Sequence, residues 1–120
     1  MDLGPSEAEL ARLETFALGL AEGAGKILLK HFGNVAWGYK RQVGKYHDQV
    51  VTRADKESEA LIRKRIRSKY PSHNILGEEE GLDDRGSEWT WVCDPLDGTR
   101  NFASGYLYWG VSIGLLYRNV

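Results

Sequence analysis

Apolar residues at helical spacing dominate the first part of the chain. They recur three and four positions apart, as on one face of a helix, at Leu10, Leu13, Phe16, Ala17, Leu20, Ala24, Ile27 and Leu28. The segment Ser6-Glu-Ala-Glu9 is a capping-box pattern, so the helix is expected to begin there, and Gly33 is its predicted end. Glycines inside it weaken the helix, and close packing is one reason to tolerate them.

A second helical pattern follows an irregular region. Residues Val35–Val43 predict a short strand, and a turn is expected at Gly44. The segment Thr52-Arg-Ala-Asp55 is a second capping signal. The helix expected from there ends near Tyr70, with inward positions at Ala54, Leu61, Ile62 and Ile66.

Short apolar runs separated by turn residues predict strands in the remainder. They lie at 74–77, 89–93 and 108–117. Pro95 fixes φ and cannot donate to a sheet, so the central strand is expected to end before it. The last residues, Tyr117-Arg-Asn-Val120, are typical of a hairpin turn.

Composition narrows the class of protein. A chain of 120 residues with 42% hydrophobic and 28% charged residues is typical of one globular domain. The single cysteine cannot form an internal disulfide, and no apolar run suits a signal peptide or a membrane span, so a cytoplasmic protein is expected. The net charge of −1 gives no reason to expect nucleic acid or membrane as partner. A basic helix face carries Arg63, Lys64, Arg65, Arg67 and Lys69, and a solvated surface is favoured over nucleic-acid binding.

Acidic residues stand where predicted strands end. Glu78 and Glu79 follow one strand, and Asp94 and Asp97 follow the next. Ligands in α/β proteins tend to bind at strand ends. Oxygen donors without paired histidines or cysteines favour Mg²⁺, with Mn²⁺ as an alternative and zinc disfavoured. The alternative is that the glutamates form a solvated loop and that Asp94-Pro-Leu-Asp97 is a plain turn.

The same residues carry a family resemblance. Leu76-Gly-Glu-Glu79, followed by Trp91-Val-Cys-Asp-Pro-Leu-Asp-Gly-Thr-Arg-Asn-Phe102, resembles the inositol monophosphatase family of Mg²⁺-dependent, lithium-sensitive phosphatases, and Val51-Thr-Arg-Ala-Asp55 resembles its Val-Thr-x-x-Asp segment. The resemblance implies the N-terminal portion, residues 1–120, of a layered α/β (α+β) sandwich. Two long helices are then expected to pack on an antiparallel sheet, and a homodimer is expected by the same resemblance.

The resemblance also implies residue roles. Glu78 would bind metal and a bridging water, and Glu79 would support it. The complete site would hold two or more Mg²⁺ ions. Asp94 would bridge two of them, the Leu96 carbonyl would complete the first, and Asp97 would bind the second. Phosphate would be held by Asp97, Gly98 and Thr99, with the Thr99 hydroxyl orienting the attacking water.

The implied reaction is hydrolysis of a small polyol or sugar phosphate monoester by metal-activated water. Inositol-1-phosphate is the first expected substrate and fructose-1,6-bisphosphate the next, with a nucleotide 3′-phosphate also open. At the place where the resemblance implies a water-activating aspartate the chain has Gln49, with Asp48 one position earlier as the candidate substitute. Family members are about twice as long, so the chain alone is expected to bind metal weakly and to turn over little substrate. The alternative is a non-catalytic module that binds Mg²⁺ or phosphate or associates with partners.

Overall fold

Two long helices precede a four-stranded sheet in the part of the chain that the structure describes. The computed structural model describes residues 3–41, 45–98 and 109–119, and the side chains of 3–32, 53–98 and 109–119. The elements are α1 (Glu7–Arg41), α2 (Lys45–Lys69), β1 (Asn74–Gly77), β2 (Gly81–Asp83), β3 (Trp89–Asp97) and β4 (Gly110–Tyr117). The expected arrangement of two long helices on a sheet is confirmed.

The sheet has the order β2-β1-β3-β4 and is mixed. Strand β1 pairs antiparallel with β2, and β3 pairs antiparallel with β4. Strands β1 and β3 are parallel, with Gly77 opposite Cys93. The expectation of an antiparallel sheet is therefore wrong for this central pair. The reason is that β2 returns along β1 as a hairpin arm, so the chain enters β3 in the direction of β1.

Both helices are longer than the sequence predicts. Helix α1 continues through Gly33 to Arg41, so the strand predicted from Val35 is wrong over the described residues. A glycine inside a helix costs only about 1 kcal/mol and does not end it by itself. Helix α2 begins at Lys45, so Thr52 lies inside it and is not its cap. The turn predicted at Gly44 lies outside the described residues.

The core lies between the two helices and one face of the sheet. Its main cluster contains Leu13, Leu20, Ala24, Ile62, Ile66, Ile75, Trp91 and Cys93. The predicted inward positions Ala54, Ile62 and Ile66 are buried, which confirms the face of α2 that points inward. Cys93 is free and buried, and burial raises the pKa of its thiol to about 11. It is an unreactive core residue, as expected.

Close approach of the helices depends on Gly23. A Cβ atom at this position would lie 2.9 Å from Leu61 Cδ2, closer than such atoms normally come, and would also meet the Arg65 side chain. At Gly19 and Gly25 a Cβ atom would meet nothing within 4 Å. Of these three glycines, only Gly23 is required by the close packing of another side chain.

The basic face of α2 is largely engaged within the chain. Arg63 pairs with Glu59, Arg65 donates to the Gly19 carbonyl, and Arg67 pairs with Asp83. These contacts leave less free positive charge for a nucleic acid than the sequence suggests. Across the described residues, neither helix contains an apolar stretch of the length and hydropathy needed to cross a bilayer.

Candidate metal and phosphate site

The parallel pairing of β1 and β3 brings the two acidic segments to one edge of the sheet. Gly77 is the last residue of β1 and lies opposite Cys93. The residues that follow, Glu78 in the turn after β1 and Asp94 in β3, therefore emerge side by side. Glu78 and Glu79 follow β1 as the sequence predicts, whereas Asp94 and Asp97 lie within β3 and not after it.

A bulge in β3 controls the direction of Asp94 and Asp97. Asp94 lies opposite Ser112 and Asp97 opposite Gly110, so three steps along β3 match two along β4. Residues three apart on a regular strand face opposite sides, but the extra residue restores one common face. The prediction that the strand ends before Pro95 is wrong, because β3 runs through it to Asp97. A proline lacking an N–H is tolerated at such a bulge.

Packing fixes this bulge against α2. Pro95 and Leu96 are both buried, and Leu96 packs with Ala54 of α2 and Leu28 of α1. The Asp94 carboxylate accepts a hydrogen bond from the Leu96 N–H at 3.3 Å, which folds the backbone back on itself. Because Asp55 follows Ala54 directly, the same packing brings the Asp55 carboxylate toward the strand-end edge.

Asp55 lies in the electrostatic field of the predicted site. Its pKa is raised from 3.8 to about 7, first by burial and then by Glu79, Glu78, Asp94 and Glu59. Among these charges Glu79 acts more strongly than Glu78. A cation bound beside these carboxylates would stabilise the ionised form of Asp55, because its charge is opposite to theirs. The carboxylates at this edge thus form an electronegative cluster.

The predicted site residues differ in how far the structure describes them. Glu78, Glu79 and Asp97 are exposed, and Asp94 is partly buried. Gly98 has a φ of +88°, which glycine adopts without strain. Thr99 lies outside the described residues, and the side chain of Asp48, in α2, is not described. Within the described part, no three His, Cys, Asp or Glu side chains are arranged to hold one metal ion.

Sequence reasoning missed Asp55 as a member of this cluster and treated it only as a helix cap and part of a motif. A signal was available in the helical pattern. Asp55 and Glu59 lie four residues apart, next to the inward positions Ala54 and Ser58. Two acidic residues beside the buried stripe of a helix indicate carboxylates directed into the structure, where a partner is needed.

The described histidines have structural partners. His31 of α1 contacts Glu57 of α2 at 2.9 Å through Nε2. His73 Nδ1 accepts a hydrogen bond from Trp91 Nε1 at 3.0 Å. Neither lies in a group that could hold a metal among the described residues. A site built on oxygen donors, as the sequence predicts, is consistent with these contacts.

The fold and the acidic strand-end edge define a layered α/β unit with a candidate cation site. The sequence profile of the inositol monophosphatase family matches residues 9–120. The chain belongs to this family.

Relatives with several activities match the chain. It is 41% identical over 99 residues to a histidinol-phosphatase of Chlorobaculum parvum, a match that covers 82% of this chain and 37% of the relative. It is 38% identical over 96 residues to a fructose-1,6-bisphosphatase/inositol-1-monophosphatase of Aquifex aeolicus, covering 80% of this chain and 36% of the relative. The chain thus spans well under half the length of these curated relatives.

A solved structure agrees with the fold. The inositol monophosphatase of Anabaena (Nostoc) sp. superposes with a TM-score of 0.73 at 37% identity, covering 92% of this chain and 37% of that structure. The layered sandwich expected from the sequence is therefore the fold of this chain.

Proposed function

We propose that the chain is the N-terminal, metal-binding portion of a Mg²⁺-dependent phosphomonoesterase. The observation that supports this most strongly is the set of carboxylates at one sheet edge, where Glu78, Glu79 and Asp94 raise the pKa of Asp55. Membership of a family with several phosphatases among its members gives the reaction class.

The donor set fits a hard divalent cation. Glu78, Asp94 and Asp97 are the carboxylates that we assign to Mg²⁺, together with the carbonyl of Leu96, whose backbone is fixed by side-chain packing. Mg²⁺ prefers such oxygen donors and keeps several waters, so a site open to solvent suits it, and Mn²⁺ is the accepted substitute. When bound, paired ions of this type acidify a water and neutralise charge on the phosphate.

The chain's own groups would bind phosphate and orient water. Gly98, in the left-handed region, and Thr99 are assigned to the phosphate through their backbone N–H groups. The Thr99 hydroxyl is assigned to the attacking water. Asp55 is the better candidate for accepting that water's proton, because it lies among the carboxylates of the cluster. Asp48 remains the weaker candidate from the sequence.

A small phosphorylated polyol or sugar is the proposed substrate. Inositol-1-phosphate stays the first candidate and fructose-1,6-bisphosphate the second, which accords with the names of relatives from Aquifex aeolicus and from Synechocystis, the latter an inositol-1-monophosphatase. A cytoplasmic location and a homodimer are part of the same proposal, and both stay predictions.

The proposal is tested by calorimetric titration of the chain with Mg²⁺ beside phosphate release from both candidate substrates. Asp94→Asn is the test variant. Asp84→Asn is the matched control, because Asp84 is exposed and is not among the groups that raise the pKa of Asp55. Mg²⁺ binding that is lost in Asp94→Asn and kept in Asp84→Asn supports the site. Equal binding by all three proteins overturns it.

A second candidate function is a non-catalytic module that binds Mg²⁺ or phosphate. One observation favours it: Gln49 stands where a water-activating aspartate is expected. Mg²⁺-dependent release that is lost in Asp94→Asn indicates the enzyme and excludes the non-catalytic module. Asp94-dependent Mg²⁺ binding without release is the result expected of the module and also of the metal-binding portion of an enzyme on its own.

A further inference from the structure

The turn that carries Glu78 and Glu79 rests on a buried carboxylate from α2. Glu59 is 1% exposed. Its Oε1 accepts the backbone N–H of Glu79 at 3.0 Å, and its Oε2 accepts that of Glu80 at 2.9 Å. Oε2 also accepts a hydrogen bond from Arg63 Nε at 3.0 Å. A carboxylate that receives three donors is well satisfied in spite of its burial.

Arg63 holds the far end of the same turn. Its Nη2 donates to the Gly81 carbonyl at 2.6 Å, and its Nε lies 3.7 Å from a carboxylate oxygen of Glu80. Glu59 and Arg63 stand four residues apart on α2 and form an ion pair. Two side chains one turn apart on α2 therefore form hydrogen bonds with both ends of the backbone segment from Glu79 to Gly81.

The approach of Glu59 requires a glycine at the end of β1. A Cβ atom at Gly77 would lie 2.6 Å from Glu59 Oε1 and 2.9 Å from Arg63 Nη2. Real Cβ atoms do not come so close to other atoms, so the ion pair would have to move. The glycine that precedes Glu78 is thus explained by the space that the buried carboxylate needs.

The charges in this turn make such a support necessary. Three consecutive glutamates, Glu78 to Glu80, repel one another, and the carboxylate of Glu59 adds a further negative charge beneath them. The backbone N–H bonds and the single cation of Arg63 offset this repulsion. Without them, we expect the turn to open and the glutamates to separate.

We infer that Glu59 is a positioning residue, which with Arg63 fixes the turn 78–80 and so sets the carboxylates of Glu78 and Glu79 for the cation. The part that concerns the cation rests on the proposed function. The part that concerns the turn rests only on the contacts above.

The test compares Glu59→Gln with two controls on the same helix. Glutamine keeps the size of the side chain but replaces one acceptor oxygen by a donor, so at least one turn N–H loses its partner. Ser58→Ala changes a neighbouring buried side chain whose Oγ has no hydrogen-bond partner among the described residues. Ile66→Ala lowers global stability from the core, and Ile66 is not among the residues that bond to the turn.

Amide hydrogen exchange at Glu79 and Glu80 is the first readout, and Mg²⁺ affinity is the second. In Glu59→Gln, exchange at these amides should rise about 10- to 100-fold beyond any global change, as expected when a bond to a charged group is lost. Mg²⁺ affinity should fall about tenfold, as when a supporting hydrogen bond to a metal ligand is removed. Both controls should leave the two amides at the level set by global stability.

Gly77→Ala provides an independent variant, since it displaces Glu59 without altering its charge. It should raise exchange at the same two amides. Exchange at Glu79 and Glu80 that follows only global stability in both variants would overturn the positioning role. If the unmodified chain binds no Mg²⁺, the proposed function fails, whereas the exchange measurement still decides whether Glu59 holds the turn.

Discussion

Trp91 donates its indole N–H to Nδ1 of His73 at 3.0 Å, inside the core. The imidazole also stacks on the ring of Tyr70, with centroids 4.8 Å apart. Nδ1 can accept this bond only without its own proton. Burial, together with the nearby charge of Arg67, lowers the pKa of His73 below its ordinary value of 6.5. The histidine is therefore held neutral.

This contact predicts a loss of stability in mild acid. The unfolded chain binds a proton at His73 more readily than the folded chain, so stability falls as pH drops through 6.5 toward the lower pKa of the folded state. In His73→Gln the side-chain oxygen still accepts from Trp91 but does not titrate. Urea unfolding at about pH 7.5 and about pH 5.5 should show a smaller loss in the variant than in the unmodified chain. An equal loss in both would contradict the prediction.

Asp55→Asn should stabilise the metal-free chain. The pKa of Asp55 is about 7 in the folded chain and 3.8 ordinarily. Its protonated form therefore contributes to the free energy of unfolding in acid, and this contribution is lost as the pH rises from about 4 through about 7. Asparagine does not titrate, so at about pH 8 the variant should unfold with a free energy about 1 kcal/mol higher. This free energy is far below the value that the full pKa shift would give, because Asp55 is only partly buried and its charge is screened by solvent.

The same variant should behave differently at lower pH and with Mg²⁺. At about pH 5 the gain should shrink, since the folded chain then holds this carboxyl protonated and no longer has its charge among the other carboxylates. Saturating Mg²⁺ should narrow it too, because a nearby cation stabilises the carboxylate. Asp84→Asn, at an exposed carboxylate, should show neither trend. A gain that is independent of pH would point to packing and not to charge.

Two glycines of α1 should respond in opposite directions to alanine. Gly25→Ala meets nothing within 4 Å and should raise stability by about 0.5–1 kcal/mol through helix propensity. Gly23→Ala places its Cβ 2.9 Å from Leu61 and should cost about 1–3 kcal/mol through overpacking. Thermal or urea unfolding of the pair measures the difference. Equal stabilisation would mean that the helices separate without cost.

Leu96 and Leu28 belong to one buried cluster but should differ in their effect on the site. Alanine at either position should cost about 2–5 kcal/mol in unfolding free energy, because each side chain is almost fully buried. Leu96 lies between Asp94 and Asp97, so Leu96→Ala should also weaken Mg²⁺ binding. Leu28→Ala should not, at a temperature where both variants are folded. Equal Mg²⁺ affinity in the two variants would show that the bulge in β3 does not position the metal ligands.

The sequence predicts the existence of the main elements better than their ends. Both helices follow from apolar spacing, since residues such as Ile62 and Ile66 point inward as the pattern indicates. The start of α1 after Ser6 and the end of α2 near Tyr70 agree with the structure. The end of α1 and the start of α2 differ, because Gly33 and Thr52 are weak local signals that a continuing helix can absorb. The parallel pairing was missed because a strand of four residues carries no sign of its direction.

Only part of the candidate site could be predicted from the sequence, for a related reason. Glu78, Asp94 and Asp97 stand beside turn residues, where sequence motifs are visible. Asp55 and Glu59 lie inside a helix, and their importance comes from what packs above them. Only the fold shows that Glu59 bonds to the backbone of Glu79 and Glu80. The residues that hold a site can thus be harder to recognise than those that line it.

The parallel pair of strands also bears on how the site edge forms during folding. A hairpin can close rung by rung from its turn, but each rung between β1 and β3 joins residues sixteen positions apart, from Asn74 with Thr90 to Gly77 with Cys93. No rung of this pair is more local than another, so the first rung to form must close a loop of the same length wherever it forms. The two acidic segments therefore become neighbours only after that loop has closed. A partly folded chain would have all the carboxylates and yet no place where they meet.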